Sequence, residues 1–169
     1  MANRKHENII LIGMPGVGKS TIGVILAKEL GYQFLDSDLL IQQQEKRLLK
    51  EIIEMDGVDG FLAIENQVNC DIEERGCVIA TGGSAVYGKE AMEHFKEIGT
   101  VVYLHCSYEI LSKRLGDLRG RGVVLKDGQT LWDIYEERRI LYEKYADLIV
   151  TEEHHGIEET LHLLMKELQ

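Results

Sequence analysis

The sequence is poor in several features that would each assign it to a particular class of protein. It has one proline, Pro15, and no stretch rich in proline, glycine and serine that would indicate a flexible linker. Its three cysteines, Cys70, Cys77 and Cys106, have no CxxC spacing and are expected to be reduced, mostly buried thiols. No apolar run approaches the length of a membrane span, and the first residues do not resemble a signal peptide. We therefore expect a cytoplasmic protein that does not bind membranes.

Basic residues are also scarce. The chain has 19 Lys and Arg against 29 Asp and Glu, which gives a formal net charge of −10. A nucleic-acid-binding surface usually needs a basic face, so we expect no nucleic-acid partner. Several arginines nevertheless gather at 114–121 and 138–139, which indicates a local anion site on an acidic protein. We expect a monomer whose partner is a small molecule.

Short apolar segments alternate with segments of helical periodicity along the whole chain. Strands are predicted at 8–14, 32–36, 77–81, 100–105 and 147–150, and helices at 19–30, across 38–75 with a break at 55–60, and at 89–98, 107–115, 131–146 and 156–168. This alternation predicts a single domain over 1–169, an α/β protein whose parallel sheet is covered by helices on both faces. Ligands of such sheets bind at the carboxyl ends of the strands, so candidate site residues should directly follow strands.

The clearest motif is GMPGVGKST at 13–21, which matches GxxxxGK[ST] between a predicted strand and a predicted helix. The backbone N–H groups of such a glycine loop bind phosphate oxygens, with help from the helix dipole. Lys19 is expected to reach the β- and γ-phosphates, and the Ser20 hydroxyl to bind Mg²⁺. The alternative is a generic glycine turn before a helix. The predicted nucleotide-binding residues of this loop are Gly13, Gly16, Val17, Gly18, Lys19, Ser20 and Thr21.

Two aspartates follow the second predicted strand. Asp36 closes YQFLD and is a candidate second contact to the metal, directly or through water. Asp38, two residues further on, is expected to point away from the metal and is a candidate for contacting an acceptor hydroxyl. The alternative is that Ser37 or Asp38 only caps the next helix.

The third predicted strand ends in IATGGSAV at 79–86. Two adjacent glycines, Gly82 and Gly83, suggest that another group comes close to the backbone there. Ser84 in the next position narrows that approach and adds a hydroxyl group.

Two further arginine-bearing segments are candidates for binding anions. The loop GDLRGRG at 116–122 could fold over phosphates and deliver a guanidinium from Arg119 or Arg121, or it could be a solvated surface loop. On the helix predicted at 131–146, Arg138 could bind an acidic group, or it could belong to an exposed charged face.

Together these segments resemble the shikimate kinase family, a P-loop group similar to the nucleoside monophosphate kinases. The resemblance covers essentially the whole chain and lies in six segments: GMPGVGKST (13–21), FLDSD (34–38), GFLAIE (60–65), VIATGGSAV (78–86), RLGDLRGRGVVL (114–125) and ERRILYEKYAD (137–147). It implies a three-layer α/β/α P-loop fold with a five-stranded parallel sheet in the order 2-3-1-4-5. It also implies an acceptor-binding helical region at about 38–62, a mobile lid at about 116–128, and transfer from ATP·Mg²⁺ to the 3-hydroxyl of shikimate.

The resemblance also implies roles for individual positions. Lys19, Asp38 and Arg121 match the catalytic residues, Asp38 being the proposed base and Arg121, preferred over Arg119 by position, the lid arginine. Ser20 and Asp36 match the metal site, and Arg114 matches the arginine that stacks on adenine. The implied acceptor-binding residues are Asp38, Leu62, Gly82, Gly83, Ser84 and Arg138.

Three positions depart from the family pattern. Leu62 stands where an arginine usually binds the acceptor carboxylate, and Ser84 stands where a third glycine is usual. The lid has Gly122-Val123-Val124 in place of the usual proline. The first two changes leave open an acceptor other than shikimate, such as another hydroxy acid or polyol, or a nucleotide-binding protein without catalytic activity.

Overall fold

The computed structural model describes residues 7–116, 126–152 and 156–169. The strands are β1 (Asn8–Ile12), β2 (Gln33–Asp36), β3 (Cys77–Ala80), β4 (Gly99–His105) and β5 (Leu148–Thr151). The helices are α1 (Lys19–Leu30), α2 (Ser37–Glu45), α3 (Leu49–Cys70), α4 (Lys89–Ile98), α5 (Tyr108–Leu115), α6 (Leu131–Tyr145) and α7 (Ile157–Leu168), and a 3₁₀ turn spans Ala85–Tyr87. Most predicted boundaries agree with these within one or two residues.

The five strands form one parallel sheet in the order β2-β3-β1-β4-β5, as the resemblance implied. β1 is the central strand, and all five of its residues are buried. Its NIILI sequence shows no alternation of polar and apolar residues because helices cover both of its faces. The order brings the carboxyl ends of β2, β3 and β1 side by side, and the loops that follow them share one edge of the sheet.

Helix α1 begins directly after the glycine loop and is capped at its carboxyl end by Gly31, whose φ of 70° is the left-handed conformation usual for a glycine after a helix. Its apolar side chains Ile22 and Leu26 are almost fully buried against the sheet. This packing fixes the amino terminus of α1, and with it the glycine loop, at the carboxyl end of β1.

The long helical region after β2 is divided more than the sequence predicted. The predicted break at 55–60 is confirmed at Gly57, whose φ of 76° and ψ of 175° interrupt α3. A second break separates α2 from α3 at Lys46, the one non-glycine residue with positive φ in the described part of the chain. The two helices pack together through a small apolar core of their own: Ile41, Ile52, Phe61 and Val68.

Among the described residues, none of the helices is both long enough and apolar enough to cross a membrane.

Candidate active site

A cleft of about 330 Å³ opens at the carboxyl ends of the strands. One wall is the glycine loop with the start of α1, and the opposite wall is the loop 81–84 after β3. Asp38 from α2 and Arg138 from α6 also line the cleft, and Leu49 and Phe61 from α3 add apolar surface. The cleft therefore unites segments that the sequence had placed after separate strands.

The glycine loop has the backbone conformation that phosphate binding requires. Gly13, Gly16 and Gly18 have φ values of 148°, 84° and 96°, which side-chain-bearing residues rarely adopt. A Cβ on Gly13 would lie 2.6 Å from the backbone oxygen of Leu104, so this position also lacks space for a side chain. No side chain caps α1 at Gly18, so the first N–H groups of the helix remain available to an anion.

Lys19 is buried at the base of this loop. Its ammonium group donates hydrogen bonds to the carbonyl oxygens of Gly13, at 2.6 Å, and Met14, at 2.9 Å. Burial lowers its pKa from 10.5 to about 8, although the negative charge of Asp38 opposes the shift. A buried ammonium bound only by carbonyl oxygens can exchange these for phosphate oxygens, which carry full negative charge.

Asp36 connects the glycine loop to α2. Its Oδ1 accepts hydrogen bonds from the backbone N–H groups of Asp38, at 2.9 Å, and Leu39, at 3.3 Å, and so caps α2. Its Oδ2 accepts a hydrogen bond from the Ser20 hydroxyl at 3.2 Å. The helix cap is therefore Asp36, not Ser37 or Asp38.

The Ser20 hydroxyl and the second carboxylate oxygen of Asp36 are hard oxygen donors placed side by side. They suit Mg²⁺, which takes few protein ligands and completes its octahedron with phosphate oxygens and water. The described residues contain no cluster of three or more His, Cys, Asp or Glu side chains that could bind a metal without such help.

Asp38 lies in the first turn of α2 and faces the cleft. Burial and the neighbouring charge of Asp36 raise the pKa of its carboxyl from 3.8 to about 6, and Lys19 acts in the opposite direction. A carboxylate with a raised pKa accepts a proton more readily than an ordinary aspartate does.

The two glycines after β3 leave room for side chains from other elements. A Cβ on Gly82 would lie 2.6 Å from Oδ1 of Asp38. A Cβ on Gly83 would lie 2.6 Å from Cδ of Pro15 and 2.9 Å from Nη1 of Arg138. The close approach that the sequence indicated is therefore made, in this structure, by the polar side chains of the cleft and by the glycine loop.

Ser84 is buried, and its hydroxyl donates a 2.7 Å hydrogen bond to Oε1 of Glu65. Glu65 lies on α3 and is only 2% exposed. Its pKa is raised from 4.5 to about 7 by burial, against the effects of the Ser84 hydroxyl and the Arg138 charge. Sequence reasoning missed Glu65. The sequence feature that could have indicated this residue is its position: it is a carboxylate three residues after Leu62, beside the apolar stripe of α3.

Arg138 is buried rather than part of an exposed face, since only 1% of it is exposed. Its Nε donates to the Tyr87 hydroxyl at 3.4 Å, and its guanidinium lies 5.4 Å from the centre of the Tyr87 ring. The neighbouring Arg139 forms the charged outer face instead, where it pairs with Glu136 and Glu143.

Arg114 lies beside the glycine loop. Its Nη1 and Nη2 donate to the two carboxylate oxygens of Glu152, each at 3.1 Å, and Nη1 also donates to the Gly16 carbonyl at 3.2 Å. Glu152 follows β5 and is almost fully buried. It is a second residue near the site that sequence reasoning missed, because nothing local connects it to Arg114.

One predicted acceptor-binding residue does not line the cleft, and part of the predicted site lies outside the described residues. Leu62 is not among the residues that line it and packs, partly buried, against the small core of α2 and α3. Arg119, Arg121 and 122–124 lie outside the described residues, as does most of the predicted lid at 116–128.

Comparison with known proteins agrees with the fold. The family model for shikimate kinase matches residues 15–169. A curated relative, shikimate kinase 2 of Yersinia pseudotuberculosis, is 35% identical over 149 residues, which covers 83% of each chain. A shikimate kinase of Bacillus cytotoxicus is 35% identical over 137 residues, covering 80% of this chain and 83% of that one. Among solved structures, shikimate kinase from Acinetobacter baumannii in complex with shikimate has a TM-score of 0.87 at 30% identity, covering 96% of this chain and 92% of that one.

Proposed function

The chain belongs to the shikimate kinase family, and from that premise we infer that it is an ATP-dependent kinase that phosphorylates shikimate. The transferred group is the γ-phosphoryl of ATP, and the proposed acceptor is the 3-hydroxyl. The observation that carries the residue-level proposal is the convergence of Lys19, Asp38 and Arg138 in one cleft beside the glycine loop.

On the donor side, the N–H groups of the loop 13–18 and of the first turn of α1 bind the phosphates of ATP. Lys19 exchanges its carbonyl partners for β- and γ-phosphate oxygens. Ser20 and Asp36 would hold Mg²⁺, which would neutralise part of the phosphate charge. Arg114, beside the Gly16 carbonyl, is proposed to stack on the adenine ring.

On the acceptor side, Asp38 accepts the proton of the acceptor hydroxyl while that oxygen forms a bond to the γ-phosphorus. The bond from the γ-phosphorus to the bridging oxygen breaks, and its electron pair leaves with ADP. Asp38 suits this role because it faces the cleft, and its pKa of about 6 leaves it mostly ionised at neutral pH and still basic enough to take a proton.

Arg138 is proposed to bind the carboxylate of shikimate. Its guanidinium is held in place by the Tyr87 hydroxyl and ring, and a charge-assisted pair with a carboxylate both binds and orients the acceptor. Gly82, Gly83 and Ser84 form the wall against which the acceptor ring lies. Arg121 is proposed to approach the transferring phosphoryl group from the lid.

A coupled assay of ADP release, run with shikimate and with a panel of other hydroxy acids and polyols, tests this function. We expect turnover with millimolar shikimate, and turnover with another acceptor alone would contradict the assignment. Asp38→Asn should abolish transfer without loss of ATP binding. Asp59→Asn, on the exposed face of α3, is the matched control and should retain activity. A near-normal rate for Asp38→Asn would refute its role as the base.

A further inference from the structure

Behind the wall of the acceptor site lies a carboxyl group that the reaction above does not use. Glu65 is buried on α3, and it reaches the loop after β3 through its hydrogen bond from Ser84. Ser84 itself lines the cleft, so the Glu65–Ser84 pair connects α3 to the surface on which the acceptor lies.

The two carboxyl oxygens of Glu65 have different surroundings. Oε1 accepts the hydrogen bond from Ser84, whereas Oε2 is buried without a hydrogen-bond partner. A Cβ on Gly82 would lie 3.0 Å from this Oε2 and 2.6 Å from Oδ1 of Asp38, so both carboxyls approach the same point of the wall. An unpartnered carboxylate oxygen is very unfavourable in such a place, while a protonated carboxyl is far less so.

The groups that face Glu65 come from several elements. α2 contributes the negative charge of Asp38, which disfavours ionisation of Glu65, and α6 contributes the positive charge of Arg138, which favours it. α6 also contributes the buried hydroxyl of Tyr142, whose pKa is raised mainly by burial and, to a smaller extent, by the charge of Glu65. From α4, Glu90 bonds to Asn66, the neighbour of Glu65 on α3. Arg138 is therefore the cation that favours the ionised form of Glu65, against the larger effect of burial.

We propose that Glu65, held by Ser84, carries a proton when an acceptor with a carboxylate binds, so that acceptor binding is coupled to proton uptake at Glu65. The proposal rests on the proposed function, in which the acceptor carboxylate pairs with Arg138.

The coupling between acceptor binding and proton uptake follows from the charges around Glu65. A carboxylate bound to Arg138 cancels the positive charge that favours ionised Glu65, and it adds a negative charge nearby. Both changes stabilise the protonated form of Glu65, whose pKa of about 7 places its titration at physiological pH. By linkage, shikimate binds more weakly as the pH rises above 7, by up to about tenfold for one pKa unit of coupling.

The Ser84 hydroxyl sets the pH range of this effect. Its hydrogen bond favours the ionised form and so lowers the pKa of Glu65. Without the hydroxyl, Glu65 would keep its proton to a higher pH. The serine thus brings the titration of Glu65 to a lower pH than burial alone would give.

Titration calorimetry of the full-length protein with shikimate, at pH 7.0, 7.5 and 8.5 in buffers of different ionisation enthalpy, tests the proposal. The slope of heat against buffer enthalpy should show uptake of a fraction of a proton, and the Kd should rise several-fold across this range. Glu65→Gln should reduce the uptake to the share of Lys19, which lines the same cleft with a pKa of about 8, and should flatten the rise in Kd. The matched control Glu54→Gln, exposed on the same helix, should behave as the unchanged protein does.

Ser84→Ala provides a second variant in case Glu65→Gln fails to fold. It should move the rise in Kd to higher pH and strengthen shikimate binding at pH 8.5. Uptake that is undiminished in Glu65→Gln, or an unshifted pH range in Ser84→Ala, would overturn the proposal. Binding and turnover of shikimate without any uptake would overturn this inference alone, whereas absence of shikimate binding at every pH would overturn the proposed function with it.

Discussion

The two walls of the cleft are built differently. The proposed donor wall is mainly one continuous segment, in which Lys19 bonds to carbonyls five and six residues away. Asp36 and Arg114 join it from other elements. The proposed acceptor wall is assembled from three distant parts of the chain: Glu65 on α3, Ser84 after β3 and Arg138 on α6. In the proposed function, donor chemistry therefore depends mainly on a local motif, while acceptor recognition depends on tertiary packing and can change through single substitutions.

Removing the positive charge of Lys19 from the donor wall should have the largest effect on catalysis. Lys19→Ala should lower kcat by about 10³-fold or more, because no other described lysine reaches the cleft to stabilise the charge of the transferring group. Steady-state kinetics with saturating ATP and shikimate measure this. Lys28→Ala, on the exposed side of the same helix, should leave kcat within about twofold. Comparable losses in the two variants would contradict the special role of Lys19.

Arg138→Ala should affect mainly the acceptor. Loss of one charge-assisted pair is expected to raise the KM for shikimate about ten- to a hundredfold, while the KM for ATP changes little. Initial rates with each substrate varied in turn separate the two constants. Arg139→Ala removes the neighbouring, partly exposed guanidinium and should change neither. If Arg138→Ala raised both constants equally, Arg138 would be a structural residue of the whole cleft.

Glu152→Gln should have a smaller effect, confined to the donor. The bidentate pair of Glu152 with Arg114 orients a guanidinium that also bonds to the Gly16 carbonyl of the glycine loop. Weakening this pair should raise the KM for ATP about three- to tenfold and leave the KM for shikimate unchanged. The control is Glu109→Gln, whose pair with Lys113 is exposed. An unchanged KM for ATP would show that Arg114 needs no such support.

Leu62→Ala should have the smallest effect on kinetics, since Leu62 packs against the small core of α2 and α3 and does not line the cleft. We expect the KM for shikimate to stay within about twofold and the free energy of unfolding to fall by about 1 kcal/mol. Chemical denaturation and steady-state kinetics on the same preparation separate the two. Leu49→Ala removes a side chain that lines the cleft and should change the KM for shikimate more than Leu62→Ala does. A larger change in Leu62→Ala would instead indicate that Leu62 contacts the acceptor.

The donor half of the site and the fold were predictable because their signals are local. Positive φ at Gly16 and Gly18, helix formation from Lys19 and the buried strands each depend on a few adjacent residues. The break between α2 and α3 was not predicted, and its cause is also local. Lys46 adopts a left-handed conformation that is uncommon for lysine and that no sequence pattern indicated.

The acceptor half could be predicted only in part because its contacts join distant segments. The Glu65–Ser84 bond connects residues 19 positions apart. The one pair on the donor side that the sequence did not indicate, Arg114–Glu152, likewise connects residues 38 positions apart. Whether Arg138 or Arg139 faces inward depends on the rotation of α6, which its packing decides. The position of Leu62 likewise follows from the way α3 packs on α2, which residue spacing alone does not fix.

The burial of Lys19 also has a consequence for chemical reactivity. With a pKa of about 8, about half of its side chains carry a neutral, nucleophilic amine at pH 8, whereas an ordinary exposed lysine has very little. An amine-selective acylating reagent shaped to enter the phosphate loop should therefore modify this lysine in preference to those on the surface. Bound ATP should protect it, so the rate of acylation would report occupancy of the nucleotide site without any turnover.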